Sequence, residues 1–211
     1  MRLLCLILHM TIMSFTLFSQ KSFSGSLEYD IVSVDYLSKD TVQGKLFIYA
    51  IDSLIRINYL MQDGKKQESI YHINKHKYIS LIELDQHFFA VQIHDTLEKN
   101  MDYRLLKNKN RKYIAGLKCK EAVLQYSDRN TLLYYSQTIP SQYFVGLNNA
   151  PGLPVKGQIP TDYGYMAFEL QIINKQQPPI SLFIPDKKYK ILSLKSFLEW
   201  TQNNQVDLDP Q

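Results

Sequence analysis

The sequence predicts a mainly β protein, a strongly curved antiparallel sheet or half-open β-barrel of about eleven strands with a short C-terminal helix. Three observations predict it. Short runs alternate apolar and polar residues with a period of two, as half-buried strands do. Polar turn signals separate the runs by a few residues, which is the mark of hairpins. Only the segment from Leu194 to about Asn203, beyond the N-terminal leader, carries a helical period.

The chain of 211 residues opens with Arg2 and an apolar core, Leu3 to Phe18, broken by His9, Thr11, Ser14 and Thr16. Ser19 and Gln20 follow. A charged start, a short apolar core and a small residue at the cut read as a secretory signal peptide over residues 1–19. The run is too short and interrupted for a stable span, which needs about 20 apolar residues. Residues 20–211 then form one exported domain, periplasmic or secreted and soluble after cleavage. Cys5 precedes the apolar core and leaves with the leader, so Cys119 is alone and no disulfide forms within the mature domain. A lone thiol in an exported protein is expected to be buried and inert.

Strands follow in order. Leu27, Tyr29 and Ile31 face inward, opposite Ser26, Glu28 and Asp30. Ile55, Ile57, Tyr59 and Met61 oppose Arg56 and Asn58. Four runs are apolar on both faces: Leu46–Ile51, Tyr78–Ile82, Phe88–Ile93 and Leu132–Tyr135. Such strands are covered on both sides or sit at the crowded centre of a curved sheet. Turns are expected at Asp63-Gly64-Lys65-Lys66, Asn74-Lys75-His76, Asp85-Gln86-His87 and Ser127-Asp128-Arg129-Asn130. Asn100 to Lys112, with Lys107, Lys109, Arg111 and Lys112, reads as a solvated hairpin loop.

Residues 139–164 break the rhythm with Pro140, Pro151, Pro154 and Pro160 among Gly146, Gly152, Gly157 and Gly164. They read as a long ordered loop or a set of very short strands. In the next strand Met166, Phe168, Leu170 and Ile172 share one face, and Ala167, Glu169 and Gln171 the other. Ile180–Ile184 reads as a strand stopped by Pro185. Ser193 caps the closing helix, whose apolar stripe is Leu194, Phe197, Leu198 and Thr201, with Trp200 beside it. So short a helix must dock on the sheet, as a lid.

The formal charge is +4, and +3 without Arg2. This mild excess excludes the strong basic face that nucleic-acid modules combine with aromatics, so no nucleic-acid partner is expected. His72 and His76 have the spacing of a helical metal site but lie on a strand and turn, and no metal or cofactor is expected. His87 and His94 point to opposite faces. There is no Gly-x-Ser-x-Gly elbow or phosphate loop, and Glu28, Asp30, Glu83, Glu121 and Glu169 lie on separate strands. No catalytic set emerges, and the chain is not expected to be an enzyme.

Ala115-Gly116-Leu117-Lys118-Cys119-Lys120 is followed by Leu133-Tyr134-Tyr135-Ser136, Ile139-Pro140, Pro151-Gly152-Leu153-Pro154, Phe183-Ile184-Pro185, Tyr189-Lys190 and the Ser193-capped helix. This order resembles the exported proteins of the domain of unknown function 4412 group and the related GLPGLI group, both similar to the superfamily of the lipoprotein carrier LolA. Val155-Lys156-Gly157 departs from the more apolar residues that group has after the Pro-Gly-Leu-Pro turn. The resemblance implies a half-open barrel with helical lids and a concave apolar face that accepts acyl chains.

The expected function is a monomeric envelope binding protein that shelters an apolar ligand, a lipid or the acyl group of a protein. Ile57, Tyr59, Met166, Phe168 and Leu170 are the candidate concave face, Phe197 and Trp200 the lid, and Pro151, Gly152, Leu153 and Pro154 the loop. The alternative is an envelope interaction protein with a filled core and residues 139–164 as its contact surface.

Overall fold

Alternating side chains and two- to five-residue turns make most strands pair with a sequence neighbour. The computed structural model describes residues 22–84, 86–94, 103–126, 129–161 and 163–204; the leader of residues 1–19 lies outside them. Six strands form one meander: β1 (Ser24–Asp35), β2 (Thr41–Ile51), β3 (Leu54–Met61), β4 (Lys66–His72), β5 (Lys77–Leu84) and β6 (His87–His94). Five form a second: β7 (Arg104–Ile114), β8 (Leu117–Gln125), β9 (Asn130–Ser136), β10 (Leu153–Thr161) and β11 (Gly164–Asn174). β1 pairs with β11 and joins them, and β12 (Lys190–Ser193) adds to β6 in parallel. The result is one sheet of twelve strands whose two edges, β12 and β7, do not pair. The predicted curved half-barrel is the observed fold, with helix α1 at Leu194–Asn203 as expected.

The turns at Gly64, Asn74–His76 and Gln86 fall where they were expected. The β7–β8 turn holds Ala115 and Gly116 at φ 47° and 74°. Two consecutive positive φ values make a type I′-like hairpin, which explains the glycine there.

Four expectations are corrected. Residues 104–112 are exposed as expected but belong to edge strand β7 rather than to a loop. The Pro/Gly segment is a loop only to Gly152; Leu153–Thr161 is a full strand, with its register shift at Pro154, where proline offers no donor. Ile180–Phe183 is a 3₁₀ turn, not a strand. It crosses the outer face of the sheet with no strand beside it to pair with, and it buries Phe183. Ile172 faces solvent, because the register shifts so that Tyr29 pairs with Leu170 while Glu28 pairs with Ile172. That bulge flips the following side chains, and Ile173 packs inward instead.

The main core lies on the inner face and joins β1–β3 to β8–β11, which curls the sheet around it. The chain after Asn174 wraps the β6 edge. Phe183, with Leu182 and Tyr189 beside it, packs on Ile70, Leu81 and Ala90 of the outer face. β12 then extends the edge, and α1 docks on the inner face through Phe197 against Phe89 and Val91. Strands β5 and β6 are thus covered on both sides, as their two-sided apolarity required. The run Leu132–Tyr135 is not: Leu133 and Tyr135 are buried, while Leu132 is exposed.

An ion cluster centred on the buried Glu68 fastens the wrap. Arg56 Nη1 donates to the carbonyl of Leu182 at 2.9 Å, and Nη2 pairs with Glu68, which also pairs with Lys66. Burial alone would raise the Glu68 carboxyl, but the hydrogen bond and charge of Lys66 and the charge of Arg56 hold it below its usual range. A carboxyl depressed in the folded state stabilises fully above its unfolded pKa, about 4.3, and this is lost as pH falls through the folded value. Glu68→Gln should therefore cost about 2–3 kcal/mol at pH 7. In denaturant melts the difference from wild type should shrink below about pH 4.3; a difference constant from pH 7 to pH 3 would contradict the assignment.

Candidate apolar-ligand site

The register sets the inner face row by row. Leu27, Ile48 and Ile57 share one row, and Tyr29, Leu46, Tyr59 and Leu170 the next. Ile31, Phe168, Met61 and the glycines 44 and 157 form the third. A Cβ on Gly157 would sit 3.1 Å from the Phe168 ring and 3.2 Å from Leu133, so the glycine makes room for that ring. Lys156 points outward to Glu169, 2.6 Å away, and Val155 is fully buried. The polar-looking Val155-Lys156-Gly157 therefore suits both faces of β10.

Residues 139–152 fold over this face as a plug. Ile139, Tyr143, Phe144, Leu147 and Ala150 are all buried in the core. Phe144 lies 4.5 Å from Phe168 and 5.3 Å from Tyr29, centroid to centroid. Tyr143 Oη accepts from the amide of Phe23 at 2.9 Å and donates to the carbonyl of Asp52 at 2.8 Å. Tyr29 Oη donates to the carbonyl of Pro154 at 2.9 Å. Gly152 lets the loop pass the β9 end, since a Cβ there would lie 2.2 Å from the carbonyl oxygen of Ser136. The expected loop residues Pro151, Gly152, Leu153 and Pro154 thus carry the plug into β10, with Leu153 and Pro154 buried.

The seven expected face and lid residues divide into three groups. Ile57, Phe168 and Leu170 are enclosed in the core at 4%, 2% and 1% exposure. Tyr59 and Met166 pack against that core but stay partly uncovered. Phe197 and Trp200 sit on the same face at its far end, 5.4 and 4.5 Å from Phe89, in a separate cluster. His87 lies 5.2 Å from Trp200. Only part of the predicted stripe docks: Phe197 and Thr201 are buried, while Leu194 and Leu198 are exposed.

Between plug and helix, Tyr59, Met61 and Tyr71 point inward from β3 and β4 and are partly uncovered. Tyr71 faces Tyr78 across β4 and β5. Burial pushes the Tyr59 phenol up to about 12, with Tyr78 adding to the shift. These partly uncovered rings leave apolar surface open on the inner face beside the packed core. Sequence reasoning missed Met61 as part of this lining, although the alternation Ile57, Tyr59, Met61 contained it. It also missed the plug aromatics, for which a Tyr-Phe pair bracketed by Pro140 and Pro151 was the available signal.

Four of the five candidate acids, Glu28, Asp30, Glu121 and Glu169, have partners. Lys45 pairs with Glu28 at 2.9 Å and Asp30 at 2.7 Å. Glu121 accepts from Tyr134 Oη at 2.9 Å and from Asn108 and Asn110 at 2.5 and 3.1 Å. With Lys156 and Glu169 these groups cross the outer face strand by strand, beside a trough of about 680 Å³. His72 ends β4 and His76 follows a 3₁₀ turn in the left-handed region. Among the described residues no three potential metal ligands come together. Cys119 is fully buried, and burial pushes its thiol up, away from the thiolate a nucleophile needs.

No protein-family model matches the chain, and no curated protein matches it. Among solved structures, PNGF-II in two crystal forms gives TM-scores of 0.48 and 0.49 at 10% and 11% identity over 84% and 89% of this chain. The chain spans 33% and 36% of those proteins. A "putative outer membrane lipoprotein-sorting protein domain" from Vibrio parahaemolyticus gives 0.36 at 7% identity, over 78% of this chain and 91% of that domain. These are loose likenesses of form, and function is read from the residues. The motifs that resemble the 4412 and GLPGLI groups have structural work in this chain, Gly116 in the β7–β8 turn and Pro151–Pro154 at the entry to β10.

Two outcomes follow. Tyr143→Phe strands a buried amide and carbonyl and should cost about 1–3 kcal/mol in a denaturant titration; an unchanged midpoint would show that the plug does not hang on this hydroxyl. Cys119 should resist a thiol reagent in the native protein and react on unfolding, and labelling at the native rate of a free thiol would contradict its burial.

Proposed function

We propose that the protein is a non-catalytic binding protein of the cell envelope that shelters an apolar ligand, a lipid or acyl chain, in the inner recess between the plug and α1. One observation carries this reading. Tyr59 faces the concave side, lies in surroundings dry enough to push its phenol up to about 12, and is still only partly covered by the protein. Met61 and Met166, flexible apolar side chains suited to varied ligands, are partly uncovered on the same face. Ile57, Phe168 and Leu170 form the packed base beneath. Residues 1–19 support export, and among the described residues no helix is long and apolar enough to cross a membrane. The ordered motifs support a place near the lipoprotein-carrier superfamily, and the 4412 and GLPGLI groups within it.

The interaction-protein reading has less support, because the aromatic and aliphatic residues of 139–152 turn inward and 153–161 is a strand. Its filled-core half remains the outcome to test against. Native mass spectrometry of gently purified protein should show a co-purifying lipid, and an acyl probe should bind. Met166→Asp, which sets a charge in the recess without emptying the core, should weaken the probe about tenfold or more. Bare protein that takes up no acyl probe would sink the proposal.

A further inference from the structure

Two phenols at the rim of the half-barrel pack their rings on the core, yet their hydroxyls have no partner among the described residues. Tyr126 follows the end of β8, two residues beyond the buried Leu124, and is itself 8% exposed. Tyr103 precedes β7 and packs against the same core. Their rings lie 6.0 Å apart. Both hydroxyls are enclosed, and among the described residues neither has a hydrogen-bond partner. Tyr29 and Tyr143, buried in the same core, each bond a backbone group. An enclosed hydroxyl without a partner is costly, and folded proteins satisfy nearly all such groups. Two side by side imply an acceptor that the described residues do not supply.

The chemistry of that acceptor can be read from its surroundings. Burial raises both phenols, and Tyr103 raises Tyr126 further, so both keep their protons at neutral pH and act as donors. Arg129 bonds Tyr36 Oη at 3.0 Å, and its charge reaches Tyr126 and favours negative charge there. The complement is an oxygen with lone pairs and partial or full negative charge on an otherwise apolar molecule.

We propose that Tyr103 and Tyr126 form the head-group site for the ligand, donating together to the carboxylate or ester carbonyl oxygen of an acyl chain whose tail lies in the recess. This rests on the recess reading above and adds to it a polar anchor at the rim.

The test is displacement of N-phenylnaphthylamine by palmitic acid, methyl palmitate and hexadecane. It compares wild type with Tyr103→Phe, Tyr126→Phe and the double variant. Each lost hydroxyl should weaken an oxygen-bearing chain about fivefold, and the pair about twentyfold, with hexadecane unchanged within about twofold. Tighter binding of the acid than of the ester identifies a free fatty acid as the source; equal binding identifies an esterified chain. Phenylalanine keeps the ring and removes an unpartnered group, so the thermal midpoint without ligand should hold or rise. Dye binding with no loss of acid or ester affinity in the double variant overturns the head-group site and leaves the recess standing. A fall in the ligand-free midpoint overturns it too, by showing that the hydroxyls already have partners. Failure of the dye to bind wild type overturns the recess itself, and this site with it.

Discussion

The contact of Phe144 with Tyr29 and Phe168 answers a problem that any unclosed sheet has. Curvature brings the inner faces of β1–β3 and β8–β11 toward one another, but twelve strands that do not close leave apolar surface at their centre. Burying a large side chain is worth about 1.5–3 kcal/mol, so leaving this face in water would forfeit much of the folding free energy. Residues 139–152 cover it from the concave side, and Tyr143 ties them to backbone at Phe23 and Asp52. The rest follows from where this plug stops. Rows beneath it are packed solid, while Tyr59, Met61 and Met166 keep uncovered surface.

The two sheet edges are managed by different means. At the β6 side the chain supplies its own cover: a 3₁₀ turn outside, a short parallel strand at the rim and a helix inside. Arg56, Glu68 and Lys66 fasten the outer part, and the Phe89–Phe197–Trp200 cluster the inner. At the other edge β7 runs eleven residues nearly all in solvent. It carries Lys107, Lys109, Arg111 and Lys112, and its pairing with β8 is interrupted between Lys107 and Arg111. Repelling charges and a bulge are the usual devices that stop such an edge from recruiting another strand.

Most of the fold was legible because a half-buried strand declares itself by alternation and a tight turn by its polar residues. The helix with its Ser193 cap, the inner faces of β1 and β3 and the two-sided cover of β5 and β6 came directly from pattern. What was not legible depended on long-range pairing. The bulge that turns Ile172 outward arises where β1 meets β11, more than a hundred residues apart, and no local period encodes it. Basic β7 looks like a loop because an edge strand with both faces in water has no alternation to show. Ile180–Ile184 has a strand's composition, yet its place on the outer face gives it no ladder to join. The site was half legible for the same reason: alternation told which residues face inward, but only the plug decides which of those stay uncovered.

That division also bears on how the recess would choose a ligand. The charged groups of this part of the sheet lie outside, in a row where Lys45 meets Asp30 and Lys156 meets Glu169, satisfied by one another. Inside, the polar groups include the phenols Tyr59, Tyr71 and Tyr78 and the buried Ser69. Burial holds Tyr59 and the rim pair in their protonated form, so they offer hydrogen bonds without a fixed charge. A lining of aliphatic, thioether and neutral phenol groups would distinguish chains by length and shape, and would penalise any ligand that brought an unpaired charge into the interior. Binding there would be driven by apolar area removed from water, with the phenols setting orientation rather than strength.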